Sequence, residues 1–168
     1  MTIFLDANQN KVEKPEGEKI FWRLSVYPLV QKDNKILMVI PTWNTLWELP
    51  GGGIELEEGI FEGMARECYE ETGYKVEAAA KSAIYVGESN FYHRGIKKFF
   101  HSVNLVFPAR LISEQRDKHV INTLDGDEIE KVDWVPLTEC VEKNCHPIIW
   151  PAINIIKNST GAISPNSA

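Results

Sequence analysis

GGGIELEEGIFEGMARECYEETGY, residues 51–74, combines a glycine triplet with acidic residues at helical spacing. Apolar side chains recur with a helical period over residues 60–72, and Gly73 follows where a helix commonly ends. The apolar positions are Phe61, Met64, Ala65 and Cys68, and Thr72 lies on the same face. At 100° per residue, three glutamates share about 100° of the adjoining face: Glu67, Glu70 and Glu71. The segment therefore predicts a helix with one face in a core and one face of carboxylates.

The carboxylate face indicates a divalent cation. Like charges three and four positions apart destabilise a helix by about 0.2–0.5 kcal/mol per pair, so the glutamates need solvent or a cation beside them. Carboxylate and carbonyl oxygens suit Mg²⁺, with Mn²⁺ as a substitute, whereas Zn²⁺ usually takes His or Cys, which this face lacks. The glycine triplet lets the backbone turn sharply and bring a carbonyl close to an ion. On charge alone, a solvated acidic face explains the glutamates equally well.

The spacing of the segment favours the cation, because it resembles the Nudix box. In order, the fixed positions are Gly52, Glu58 after five residues, Arg66-Glu67-Cys68 after seven, Glu70-Glu71 after one, and Gly73-Tyr74 after one. The match is strict over residues 52–74, and the strand before it and Trp134–Leu137 are also similar to this family. The resemblance implies an α/β protein, a Nudix-type α/β/α sandwich with a mixed sheet, of the MutT-like family and of unassigned subfamily.

The same resemblance implies an activity and its residues. A Mg²⁺-dependent Nudix hydrolase cleaves a phosphoanhydride (pyrophosphate) bond of a nucleoside diphosphate linked to another moiety, by attack of a metal-activated water on phosphorus. The implied metal ligands are Glu67, Glu70, Glu71 and the Gly51 carbonyl. Glu67 is a ligand or the base that activates water, and Arg66 orients Glu58 and Glu67. A further acidic ligand is expected from Asp125, Asp127, Glu128 and Glu130, with Glu128 or Glu130 favoured.

The rest of the chain predicts strands around this helix and two further helices. β-rich stretches cover residues 20–30, 35–40, 45–50, 74–86, 97–111 and 131–136, and short helices are expected near 137–142 and 147–156. Residues 1–17 are interpreted as an arm or loose strand, 18–157 as the hydrolase domain and 158–168 as a flexible tail.

Composition excludes several other classes of protein. The chain has 168 residues, enough for one domain with its own core. Its net charge of -6 disfavours binding to long nucleic acids, and it has neither a membrane-length apolar run nor a signal-peptide pattern. The expected compartment is therefore the cytoplasm, and three cysteines without a paired metal spacing are read as reduced thiols. The apolar β-segments are compatible with either a core or a homodimer face.

The substrate is less well specified than the chemistry. Residues 89–100 mix aromatic and basic side chains that can stack on a base and hold phosphates. The candidate substrate-binding residues are Tyr92, Arg94, Lys97 and Trp47, although core packing is an alternative for each aromatic. A (deoxy)nucleoside triphosphate or a dinucleoside polyphosphate ranks first. Nucleotide sugars and ADP-ribose rank second, and a noncatalytic nucleotide-binding regulator is the alternative from another class.

Overall fold

The computed structural model describes residues 2–120 and 129–161. Within these ranges the chain forms nine strands and two helices. The strands are β1 (Ile3–Leu5), β2 (Lys11–Glu13), β3 (Ile20–Lys32), β4 (Lys35–Pro41), β5 (Gly52–Gly53), β6 (Val76–Ala78), β7 (Tyr85–His93), β8 (Lys98–Leu111) and β9 (Ile129–Pro136). The helices are α1 (Ile60–Thr72) and α2 (Trp150–Gly161).

The strands form a mixed sheet in the order β2-β1-β7-β8-β3-β4-β9, with β5 paired to β3 and β6 paired to β8. Parallel pairing joins β3 to β8 over residues 20–30 and 99–109, and β1 to β7 at one position. The remaining pairs are antiparallel. The predicted α/β/α sandwich with a mixed sheet is therefore confirmed.

The alternation of side chains along β3 explains why a helix packs on each face of the sheet. Val26 and Val30 belong to the cluster that buries Met64 and Cys68 of α1. Leu29 points the other way, into a second cluster formed with residues around α2. That cluster includes Ile149, Ala152 and Ile153. Each fully buried aliphatic side chain contributes about 1.5–3 kcal/mol, so the two clusters fix α1 and α2 against the sheet.

Residues 3–13, for which the sequence left an arm or a loose strand open, form a hairpin that is attached to the sheet. Phe4 is completely buried and packs edge-on against Phe99, with ring centroids 4.9 Å apart. The buried Asp6 carboxylate accepts hydrogen bonds from the backbone of Asn10 and from Arg94. A single aromatic in a polar segment gives little periodicity, which is why the sequence did not predict this attachment. The division of the chain at residues 18 and 158 stays a prediction.

Three other predicted elements need correction. Residues 45–50 make only isolated bridges, Trp47 with Cys145 and Glu48 with Val39. The stretch 74–86 is not one strand, because β6 ends at Ala78 and β7 begins at Tyr85. Residues 137–142 are turns instead of a helix. In these turns Asn144 bonds to the backbone of Val141 and Glu139, and such local side-chain bonds compete with helix formation.

Helix α1 matches its prediction over residues 60–72. The conformation of Gly73, which follows the helix, leads to a testable prediction about stability. Gly73 has φ 73°, and a Cβ built on it would lie 1.9 Å from the Asp117 carbonyl oxygen. Gly17 also has a positive φ, 86°, but nothing lies within 4 Å of its built Cβ. Gly17→Ala should therefore cost only the left-handed backbone strain of about 1–2 kcal/mol. Gly73→Ala should cost roughly 3 kcal/mol or more, because the Asp117 backbone must also move.

Urea unfolding of both alanine variants measures this difference. Equal losses in the free energy of unfolding would show that the contact between the helix end and the loop at Asp117 relaxes without cost.

Candidate active site

The glycine loop and the carboxylates of α1 are in close contact. The Gly51 amide donates a 2.8 Å hydrogen bond to Glu71 Oε2. A Cβ at Gly51 would lie 2.3 Å from the Val26 carbonyl oxygen, and one at Gly52 would lie 2.7 Å from Glu67 Oε2. Gly51 also has φ 140°, which L side chains rarely adopt. Only residues without a side chain allow the loop to approach both β3 and α1 this closely.

Arg66 lies at the centre of the acidic cluster. Its guanidinium binds Glu58 through two hydrogen bonds, Nη2 to Oε1 at 2.6 Å and Nε to Oε2 at 2.9 Å. Nη1 binds Glu70 at 2.9 Å, and Nη2 lies 3.1 Å from Glu67 Oε1 and 3.2 Å from the Gly53 carbonyl oxygen. Five planar donors suit this arrangement better than the ammonium group of a lysine. One cation therefore holds three carboxylates and the glycine loop in fixed directions.

β3 adds residues that the sequence analysis did not single out. Arg23 lies against the loop, because a Cβ at Gly53 would be 2.9 Å from its Nε. Its charge lowers the pKa of Glu67, although it is not the main influence on that group. Burial raises the pKa of Tyr27, and the nearby Glu48 and Glu71 raise it further. The period-2 alternation of β3 was the available signal, since it places Arg23 and Tyr27 on one face.

The residues predicted to bind substrate lie in three different places. The Tyr92 ring packs on Phe99, 4.6 Å between centroids, and Arg94 is paired with Asp6 at 2.6 Å. Lys97 is exposed in the turn between β7 and β8. Trp47 lies under the Lys131 ammonium, 4.8 Å from the ring centroid. Tyr92 and Arg94 thus contact the region that holds the N-terminal hairpin, and β8 separates their strand from β3.

Of the predicted downstream acidic ligands, the structure describes only Glu130. Asp125, Asp127 and Glu128 lie outside the described residues, and Glu130 is exposed on β9. The assigned roles of all these residues stay predictions.

Comparison with known proteins gives the family. The NUDIX domain model matches residues 22–154, which is most of the chain and includes the glycine loop and α1. The chain belongs to the Nudix family. A MutT-like protein of Streptomyces ambofaciens is 42% identical over 57 residues, which is 34% of this chain and 37% of that protein. A putative 8-oxo-dGTP diphosphatase of Bacillus subtilis is 37% identical over 57 residues, 34% of this chain and 38% of that protein.

These matched segments cover less than two fifths of the relatives' own lengths. Among solved structures, a MutT Nudix hydrolase from Burkholderia pseudomallei superposes with a TM-score of 0.59 at 19% identity, over 79% of this chain and 96% of that one. This similarity shows that the fold is the one found in Nudix hydrolases. Within residues 2–120 and 129–161, neither helix has the length and hydropathy of a membrane span.

The Nudix carboxylates have the donor chemistry that Mg²⁺ requires, but they are turned toward other partners. Among the described residues, no three His, Cys, Asp or Glu side chains converge as a ready metal site. Glu70 is bound to Arg66 and Glu71 to the Gly51 amide. The atoms of this cluster that could coordinate a metal are hard carboxylate and carbonyl oxygens. Because Gly52 has no Cβ, the space beside Glu67 stays open. The residues fit a magnesium ion, and binding it requires these carboxylates to exchange partners.

Two Nudix carboxyls have pKa values shifted in opposite directions. Burial raises the pKa of Glu67, and Arg66 opposes this only in part. Hydrogen bonds from Arg66 are the main cause of the lowered pKa of Glu58. A carboxyl whose pKa is raised on folding stabilises the protein at pH values below its pKa in the unfolded state, and this stabilisation is lost as the pH rises through its pKa in the folded state. A carboxyl whose pKa is lowered on folding stabilises the protein at pH values above its pKa in the unfolded state, and this stabilisation is lost as the pH falls through its pKa in the folded state.

Glutamine variants should reveal these opposite signs. Near pH 7 and without divalent metal, we expect Glu67→Gln to raise the free energy of unfolding and Glu58→Gln to lower it. Both differences should shrink as the pH falls to about 4 and below, where unfolded glutamates are protonated. Urea unfolding between these pH values measures them. A loss of stability in both variants at neutral pH would contradict the assignment of burial as the dominant effect on Glu67.

Proposed function

We propose that the protein is a Mg²⁺-dependent Nudix pyrophosphohydrolase that cleaves a phosphoanhydride bond of a nucleoside diphosphate linked to another moiety. The observation that carries the proposal is the cluster in which Arg66 holds Glu58, Glu67 and Glu70 beside the glycine loop. The substrate is a (deoxy)nucleoside triphosphate or a dinucleoside polyphosphate. The similarity to a putative 8-oxo-dGTP diphosphatase of Bacillus subtilis supports placing nucleoside triphosphates among the first candidates. Three free, buried cysteines are compatible with a reducing cytoplasm.

Glu67 is best placed to act as the base. It is largely buried, its pKa is raised, and Arg66 fixes one of its oxygens at 3.1 Å. In the proposed reaction Glu67 accepts a proton from the water whose oxygen attacks phosphorus, and the bridging oxygen leaves with the second phosphate. Bound Mg²⁺ would lower the pKa of that water and neutralise charge on the phosphate oxygens, held by Glu70, Glu71, the Gly51 carbonyl and Glu128. Arg23, across the loop from Glu67, is positioned to bind a phosphate.

The glutamates of the Nudix box also distinguish this proposal from its alternatives. A noncatalytic nucleotide-binding regulator has no need for Glu58, Glu67, Glu70 and Glu71 together with Arg66, and all of them are present. Hydrolysis of a nucleotide sugar or ADP-ribose needs the same cluster and differs only in the group beyond the second phosphate. A homodimer remains compatible with the apolar strands at the sheet surface.

Turnover of a substrate panel tests the proposal. Nucleoside triphosphates, dinucleoside polyphosphates, nucleotide sugars and ADP-ribose are incubated with Mg²⁺, with Mn²⁺ or with EDTA, and phosphate and pyrophosphate release is measured. We expect turnover of one class, its loss with EDTA or in Glu70→Gln, and its retention in Glu57→Gln, since Glu57 is an exposed acid outside the cluster. A wild-type protein that binds Mg²⁺ but cleaves none of these substrates would overturn it.

A further inference from the structure

A cavity of about 460 Å³ lies beside the N-terminal hairpin. It is lined by residues of the N-terminal hairpin, of β7 and β8, and of the segment before α2. Apolar and aromatic side chains such as Leu5, Tyr85 and Phe91 line it together with amide, imidazole, hydroxyl and carboxylate groups, among them Gln9, Asn104 and His146. Such a mixture can hold a planar ring and also form hydrogen bonds with its polar edge.

Strand register connects this cavity to the catalytic loop. Asn104 on β8 is paired with Gly87 on β7 and with Ser25 on β3, and Ser25 is paired with Gly53. Ser25 and Asn104 are each only 2% exposed, which is unusual for polar residues on the face of a sheet. Neighbouring strands are about 4.8 Å apart, so Gly53 lies roughly 10 Å from Asn104 along this row. The ribose and phosphates of a nucleotide can span such a distance.

The hairpin of residues 3–13 closes the outer side of the cavity. The Gln9 carboxamide is hydrogen-bonded to His146 Nε2 at 2.8 Å, although the two residues are far apart in sequence. Arg94 holds the hairpin from the other side through Asp6. The family match begins at residue 22, so the hairpin lies outside the matched segment.

We propose that this cavity binds the nucleoside part of the substrate and that Gln9 of the hairpin is a specificity-determining residue. The proposal rests on the hydrolase function above. Tyr85 and Phe91 can pack on a planar base, and the amides of Gln9 and Asn104 can recognise its polar edge. Phosphates directed toward Gly53 would then meet Arg23 and the carboxylates.

Variants of Gln9 test the proposal. Gln9→Ala removes the amide and Gln9→Trp fills the cavity, whereas Glu13→Gln changes an exposed residue of the same hairpin. Kinetics with the substrate identified by the panel give KM and kcat. Calorimetry with ribonucleoside 5′-monophosphates and with inorganic phosphate, both without metal, gives Kd. We expect each Gln9 variant to raise KM and the nucleotide Kd by about tenfold with kcat within twofold. Phosphate binding and Glu13→Gln should be unchanged.

The results separate this inference from the hydrolase proposal. If the wild type turns over substrate and the Gln9 variants keep its KM and nucleotide Kd, the cavity proposal is overturned and the hydrolase stands. If the nucleotides bind through Gln9 and no substrate is cleaved, the cavity proposal stands and the hydrolase falls. Amide chemical shifts of the wild type with each monophosphate decide the matter even where a variant does not fold. Perturbation must include Asn104 and His146, and its absence there refutes the proposal.

Discussion

Replacing Glu67 by glutamine is expected to lower kcat by about 10²–10⁴-fold, the usual contribution of a general base. Glutamine keeps the size of the side chain and a carbonyl oxygen near Arg66 but cannot accept a proton. Because the neutral side chain is easier to bury, the inactive variant should be at least as stable as the wild type in metal-free buffer.

Steady-state kinetics with saturating Mg²⁺ measure this effect, with thermal unfolding as the check on folding. Glu62→Gln is the matched control on the same helix, because glutamine can still accept the hydrogen bond from the Gly59 amide that Glu62 accepts. If Glu67→Gln kept kcat within tenfold, the base would have to be sought elsewhere in the cluster.

Replacing Arg66 by lysine is expected to lower kcat/KM by about 10–100-fold, as is common for groups that orient catalytic ligands. Charge is retained, so the loss must come from geometry. A single ammonium group cannot reproduce the pair of hydrogen bonds to Glu58 while also reaching Glu70 and the Gly53 carbonyl. The carboxylates would then take several orientations, and the glycine loop would lose a tie to α1.

Arg110→Lys is the control for the chemical change itself, since Arg110 also donates to a glutamate, Glu77, but on an exposed part of the sheet. Surface pairs of this kind contribute about 0–1 kcal/mol, and no change in turnover is expected. Equal activity of Arg66→Lys and Arg110→Lys would show that Arg66 supplies only charge.

The sequence predicted the parts of the molecule in which local pattern and chemistry coincide. Helix α1 needs an apolar face, a glycine after its last residue and a row of carboxylates, and all three are visible within residues 60–73. The long strands β3 and β8 were predicted for the same reason, since their β-branched and aromatic residues form continuous runs.

Contacts between distant segments could not be read in this way. Arg23 and Ser25 acquire meaning only because β3 lies in parallel register with β8 and also pairs with the glycine loop. The attachment of the hairpin at residues 3–13 depends on the contact between Phe4 and Phe99, and no local sequence pattern predicts such a contact. Aromatic and basic residues near 92–97 suggested substrate binding by composition, whereas pairing directs Tyr92 and Arg94 to the hairpin.

The pairing of residues 20–30 with 99–109 also has a kinetic consequence. The glycine loop and α1 lie within the long chain segment that this parallel pairing closes. Bringing such distant segments together costs loop entropy before most native contacts can compensate, and chains dominated by such pairings refold slowly. Helix α1 can form early as a local structure, but its carboxylates acquire their final surroundings only when the central strands meet. We therefore expect refolding to be slow and catalytic competence to return only when β3 pairs with β8.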